Sequence, residues 1–129
     1  MKTNDVHNVL RVEAAGWFVV SLAAFWATSG PWSWFAILFF VPDLGMLGYL
    51  RGSRWGAVIY NATHSYTVPL LLASLHTAVT LAMPSPLWLV WFAHIAFDRA
   101  LGYGLKFDSG FHDTHLGLLK TQKASAWIR

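Results

Sequence analysis

The sequence predicts an all-α polytopic membrane protein, a bundle of four transmembrane helices with both termini in the cytoplasm. Three observations carry that expectation. Of 129 residues, 56% are hydrophobic and only 12% charged, with a mean hydropathy of +0.45, which is too apolar for a soluble domain of this size. Eight Trp, nine Phe and four Tyr are spread along long apolar runs, where a soluble amphipathic helix would place a charge every few residues on its wet face. The positive residues also sort to one side of a four-span arrangement.

The first apolar run, about 14–28, is broken only by Ser21 and is short for a span, so the helix is expected to begin near Val9 and carry Arg11 and Glu13 at its inner end. A secretory signal is the competing reading, because small residues follow a short run, and Glu13 directly before the run argues for a span. Ser29-Gly30-Pro31 ends this helix. The second span, 32–50, has Pro42-Asp43 set into its inner half, and Arg51-Gly52-Ser53-Arg54 is a tight basic turn. Residues 55–83 are too few for two spans and a turn, and are expected to form one tilted helix bent near Pro69. Pro84-Ser85-Pro86 ends it, 87–105 is the fourth span, and a polar tail occupies 106–129. No repeat or linker interrupts the chain, so residues 1–129 are expected to be one transmembrane domain, spanning about 9–28, 32–50, 55–83 and 87–105.

Lys2, Arg11, Arg51, Arg54, Arg99, Lys106, Lys120, Lys123 and Arg129 then all lie on one side, and the two opposite loops carry none. This positive-inside pattern sets both termini in the cytoplasm and accounts for a formal charge of +3 without a nucleic-acid partner. Trp26, Trp32, Trp34 and Trp88 cluster at the opposite interface. The absence of Cys excludes disulfides, thiolate metal sites and Cys nucleophiles, so any metal falls to His and carboxylates.

Ionisable groups inside hydrocarbon cost roughly 2.5–3.5 kcal/mol each on insertion scales, so each needs a partner or a purpose. Asp43, His64, His94 and Asp98 fall in overlapping layers between mid-membrane and the cytoplasm. His94 and Asp98 are one helical turn apart and project from one face; Asn61 and His64 form a similar pair, and Glu13 is a further carboxylate. Histidines and carboxylates from several helices suit zinc, iron or manganese. The structural alternative is a network in which Asp43 and Asp98 neutralise Arg99, Arg51 or Arg54 while the histidines bond between helices; a proton or ion relay is a third reading. His76 lies on a different face and is expected to be a lone interhelical hydrogen-bonder. In the tail, Phe111-His112-Asp113-Thr114-His115 follows Gly102, Gly104 and Gly110. It reads either as a flap bringing His115 or Asp113 to the site as general acid or base, or as the start of a short helix on the membrane surface.

The blocks at 42–49 (Pro42-Asp43-Leu44-Gly45 onward), 60–66 (Tyr60-Asn61-Ala62-Thr63-His64 onward), the run from His94 through Asp98, Arg99, Gly102 and Gly104 to Lys106, and Asp113-Thr114-His115-Leu116-Gly117 together resemble the small bacterial membrane proteins grouped as domain of unknown function family 4260. That resemblance implies a four-helix integral membrane protein, in a bacterium the inner membrane, and implies no activity. Pro42-Asp43 before Thr63-His64-Ser65 is also similar to the YdjM-like membrane-bound metal-dependent hydrolases, although Leu44-Gly45 stands where that pattern has a second acid. The functional expectation is a hydrolase of a lipid or amphiphile in which Asp43, His64, His94 and Asp98 hold one or two divalent ions and His115 or Asp113 carries the proton. The alternative is a non-catalytic accessory or scaffolding subunit packed against a partner membrane protein or a second copy of itself.

Overall fold

The computed structural model describes residues 3–81 and 85–118 of the chain. It is all-α apart from one small hairpin: α1 (Thr3–Ala27), α2 (Trp32–Phe39), a 3₁₀ helix (Val41–Arg51), α3 (Ser53–Thr63), α4 (Thr67–Thr80), α5 (Pro86–Leu101), and the antiparallel strands β1 (Asp113–Thr114) and β2 (Gly117–Leu118). Asn4–Ala27 and Trp32–Arg51 are long and apolar enough to cross a membrane, and Thr67–Thr80 is apolar but shorter. Val12, Val19, Val20, Leu71 and Val79 are among many large apolar side chains turned outward. Such a surface is suited to lipid rather than water. Lys2, Lys120, Lys123, Arg129 and the end of the third expected span at Met83 lie outside the described residues.

α1 and α5 pack along each other, and the outer half of the core is aromatic: Phe25, Phe35, Phe39, Val90 and Ala93 are buried, with Phe18, Leu22 and Phe97 packed against them. Phe35 stacks on Phe39 at 5.7 Å, and Phe39 meets the His94 ring edge-on at 5.1 Å. Arg11 Nε donates to the Ala100 carbonyl at 2.9 Å, tying the N-terminal part of α1 to the C-terminal end of α5.

Two departures from straight helices position the site. The second span changes winding at Phe40, where α2 gives way to the 3₁₀ helix; Pro42 has no N–H to return to the preceding turn. In a 3₁₀ helix, positions three apart eclipse one another. Pro42, Gly45 and Gly48 therefore form a buried, nearly side-chain-free stripe, and α3 lies directly on it. A Cβ at Gly48 would stand 3.0 Å from Ile59 and 3.1 Å from the Trp55 carbonyl, one at Gly45 would collide with Thr63, and one at Gly56 of α3 would collide with the Tyr49 ring.

The second departure corrects the expected single helix over 55–83. The chain forms α3 and α4, separated at His64-Ser65-Tyr66, one turn before Pro69 rather than at it. A proline ring clashes with the carbonyl four residues earlier, here Ser65, so a helix through both must kink or break, and here it breaks. α4 itself buries only Pro69 and packs mainly on α5.

The close crossing of α3 on the 3₁₀ helix leaves no room for an added methyl. Gly56→Ala is expected to destabilise the protein by about 1–3 kcal/mol through overpacking against Tyr49, read as a lowered Tm in detergent. Gly16→Ala, where a Cβ meets nothing within 4 Å, is the control that leaves the melting unchanged or raised.

Candidate metal centre

Breaking a helix within a buried region frees backbone groups that must be satisfied by protein. The carbonyl of Thr63 accepts from Trp91 Nε1 at 2.7 Å, and that of His64 from Arg99 Nη2 at 2.8 Å, while Arg99 Nη1 donates to Tyr103 O at 2.7 Å. The Tyr60 carbonyl accepts from the His64 amide at 2.9 Å and from His64 Nδ1 at 3.0 Å. Tyr60 also stacks flat on the His64 imidazole, with centroids 3.8 Å apart and planes 10° apart. His64, at the C-terminal cap of α3 and fully buried, is thereby fixed in position and in tautomer. Nδ1 lies against the Tyr60 carbonyl at 3.0 Å and the Thr63 hydroxyl at 2.9 Å; with its hydrogen given to the carbonyl, Nε2 presents a lone pair.

That lone pair points at three others. His64 Nε2 lies 3.1 Å from His94 Nε2, 3.4 Å from Asp43 Oδ1 and 3.5 Å from Asp98 Oδ2; His94 Nε2 lies 3.5 Å from the same Asp43 oxygen and 3.7 Å from the same Asp98 oxygen. All four atoms are within 4.8 Å of one another. His94 Nδ1 is buried with no hydrogen-bond partner among the described residues, and the Phe39 backbone lies near the ring; with the hydrogen on Nδ1, Nε2 offers its lone pair to the same point. Two imidazole lone pairs and two carboxylate oxygens then converge on one point. Without a cation they repel; with one they are its ligands. A tetrahedral ion with bonds of 2.0–2.1 Å has ligand-to-ligand edges of about 3.3–3.4 Å, within a few tenths of an ångström of the observed separations of 3.1–3.7 Å. Two aspartates and two neutral histidines around a divalent ion also sum to zero charge, the favourable total in a low-dielectric interior.

The four expected metal residues are thus brought together from three separate segments: Asp43 from the 3₁₀ helix, His64 from the break, His94 and Asp98 from successive turns of α5. The expected pairing of the aspartates with Arg51, Arg54 or Arg99 is not found among the described residues. Arg99 is spent on carbonyls, because those freed by the break are nearer. Asn61 is not a fourth-direction ligand either. Its amide clamps the backbone of Lys106, accepting from the Lys106 N–H at 2.7 Å and donating to the Lys106 carbonyl at 2.8 Å. Glu13 lines a different cavity with Arg99 and His115. His76 makes no side-chain hydrogen bond among the described residues and instead borders an apolar cavity with Thr63, Trp88 and Trp91.

The tail turns back toward the bundle, as a flap would, with a hairpin in place of a surface helix. His115 and Asp113 are not brought to the four ligands. His115 Nδ1 accepts from the Leu105 N–H at 2.8 Å, and the Asp113 carboxylate accepts from Ser109 Oγ at 2.5 Å. What the flap does carry to the site is Phe111 and, at its root, Lys106. Both line a cavity of about 370 Å³ with Asp43, Tyr60, Asp98 and Tyr103, so the carboxylates are open on this side, Asp43 at 32% and Asp98 at 15% side-chain exposure. Lys106 gave no signal in the sequence beyond its place among the inner basic residues. Only the Asn61 clamp shows that it turns inward.

Fold and site together define a small all-α protein with two helices able to cross a membrane and a buried His/Asp group able to hold a metal ion. The chain belongs to the family described as Domain of unknown function (DUF4260), which matches residues 7–119. No curated protein and no solved structure matches the chain, and the looser likeness to YdjM-like hydrolases finds no counterpart in these comparisons.

The docking of the flap has a definite pH sense. Burial first, and the nearby Arg99 second, hold the His115 imidazole below its ordinary range. The undocked segment therefore takes up a proton before the docked one, so docking is fully stable above the ordinary imidazole pKa of about 6.5 and weakens as pH falls below it. The Leu105 amide is expected to lose protection from hydrogen exchange between about pH 6.5 and pH 5; unchanged protection over that interval contradicts this role for His115.

Proposed function

We propose that this chain is a multi-pass inner-membrane protein that binds one divalent metal ion through Asp43, His64, His94 and Asp98 and uses it to hydrolyse a lipid or other amphiphile reaching the cavity from the inner leaflet. The observation that carries this reading is the convergence of four potential ligand atoms, two imidazole nitrogens and two carboxylate oxygens, within 4.8 Å of one another. In the same proposal residues 1–129 form one transmembrane domain. α1, the α2–3₁₀ rod, the interrupted α3–α4 pair and α5 are its four spans, and both termini are cytoplasmic. The distribution of Lys and Arg supports that orientation.

Zinc, iron and manganese all accept this ligand set. An ion there supplies Lewis acidity toward an ester oxygen and lowers the pKa of a bound water. Asp43 is the most exposed ligand and borders the cavity, so its edge of the site is where a substrate oxygen approaches. Phe111 and Tyr103 line the apolar side of the mouth, and Asp98 is steadied by the neighbouring Tyr60 hydroxyl.

Two experiments bear on this reading. Protein purified without chelator is expected to hold one metal per chain. Loaded with Co²⁺ it should show the intense visible bands of a four-coordinate site, and His94→Ala should lose both features along with the metal-dependent rise in Tm. Incubated with lipid extracted from its own membrane, the wild type should release a hydrolysis product that His94→Ala does not, as seen by mass spectrometry. Metal at full stoichiometry with identical lipid profiles sinks the hydrolase and leaves a structural ion; absence of metal sinks the centre itself. Because the chain has no Cys, topology can be read from single introduced cysteines. Ser29→Cys and Ser85→Cys should react with impermeant maleimide from outside spheroplasts, and Ser53→Cys and Ser109→Cys only in inverted vesicles; labelling of all four from one side refutes the four-span arrangement.

A further inference from the structure

Lys106 is 5% exposed, and no carboxylate lies within ion-pair distance of it among the described residues. One of its ammonium hydrogens is donated to the Phe111 carbonyl at 2.8 Å. The rest of its surroundings are aromatic, with Nζ 3.7 Å from the Phe111 ring centroid and 4.6 Å from that of Tyr60. Rings stabilise a cation by about 0.5–2 kcal/mol but give its N–H donors no lone pair of an oxygen. Among the described residues the Phe111 carbonyl is the hydrogen-bond acceptor found for Nζ, and Lys106 lines the same cavity as Asp43 and Asp98. The placement is held firmly, because the Asn61 amide grips both backbone groups of Lys106 from the helix that ends in His64.

Charge bookkeeping then identifies what is missing. With a divalent ion in place the four ligands and the ion are neutral, and the nearby cations Lys106 and Arg99, both of which act electrostatically on Asp98, leave the cavity positive. A ligand that completes the cavity carries negative charge and two oxygens, one for the metal and one for the ammonium. We infer that the cavity between the metal centre and Lys106 binds the phosphodiester group of a phospholipid headgroup, one non-bridging oxygen on the ion and the other on Lys106 Nζ. This inference rests on the metal reading and adds the class of the amphiphile. A phosphodiester is a monoanion, and lipid phosphates lie at the inner interface marked by Arg51, Arg54 and Lys106.

The test uses the full chain in dodecyl maltoside loaded with Co²⁺. The probes are dihexanoylphosphatidylglycerol and, as a chain-free phosphodiester, dimethyl phosphate, both observed by ³¹P NMR. Bound phosphorus next to the paramagnetic ion relaxes faster. The wild type is expected to enhance ³¹P relaxation of the lipid, and Lys106→Gln, at unchanged cobalt content, to weaken binding at least about tenfold, the loss of one charge-assisted contact. Lys106→Arg should restore it. Lys106→Met, which keeps the apolar stem against Tyr60 and Phe111, is the second variant if Lys106→Gln does not hold cobalt. Enhancement for dimethyl phosphate as strong as for the lipid assigns the site to soluble phosphodiesters and overturns the lipid headgroup. Full cobalt occupancy with no enhancement, or equal enhancement in the Lys106 variants, overturns the anion site while leaving the metal centre intact. No cobalt in the wild type instead fails the metal reading; lipid binding by the metal-free protein that still depends on Lys106 would then preserve the anion site alone.

Discussion

The arrangement depends on a mutual repulsion that the fold does not relieve by itself. Two imidazole nitrogens 3.1 Å apart face two carboxylate oxygens within 3.7 Å. A protein interior of low dielectric magnifies such opposition as much as it magnifies attraction. The surrounding structure holds the four atoms there anyway, through a stacked tyrosine, a backbone carbonyl and an aromatic edge. Such convergence is the reason to regard these residues as a binding centre rather than as interhelical glue.

Holding His64 in that position requires the chain to leave helical geometry, and the departure is compensated locally. Trp91 and Arg99, both on α5, take up the carbonyls exposed by the break, so the helix that carries His94 and Asp98 also carries the groups that stabilise His64. The same segment thus supplies ligands and scaffolding. This is why Arg99, next in sequence to Asp98, forms no ion pair with it. Its guanidinium is committed to oxygens that have no other donor.

The membrane character and the residue types of the centre were legible in the sequence because they rest on cost: an acid or imidazole in a long apolar run has to be explained. Convergence was less legible, since spacing along one helix fixes relative direction within it and says nothing of its rotation toward a neighbour. The interruption at His64 was visible in principle. Pro69 excludes the carbonyl of Ser65, and that rule places a break one turn upstream, whereas reading proline as a bend at its own position misplaced it. The 3₁₀ winding of 41–51 has a weaker signature, the triplet repeat of Pro42, Gly45 and Gly48, which resembles ordinary helix-breaking composition until a partner helix is seen lying on it. The inward turn of Lys106 had no local signal at all, because it is set by Asn61, forty-five positions away.

The triplet winding has one more consequence. Along the 3₁₀ helix three columns stand side by side and do not drift: Pro42, Gly45 and Gly48 touch α3, Asp43, Met46 and Tyr49 form the adjoining row, and Leu44, Leu47 and Leu50 look outward with exposures of 61%, 61% and 85%. Substitution along this stretch is therefore constrained in a strict cycle of three, with the leucine column free to wander among greasy types and the glycine column nearly immovable. Elsewhere in the chain the constraint follows the slower 3.6-residue rotation of an ordinary helix. The change of rhythm between α2 and residue 51 is a fingerprint by which the reach of this centre can be traced through any set of related sequences.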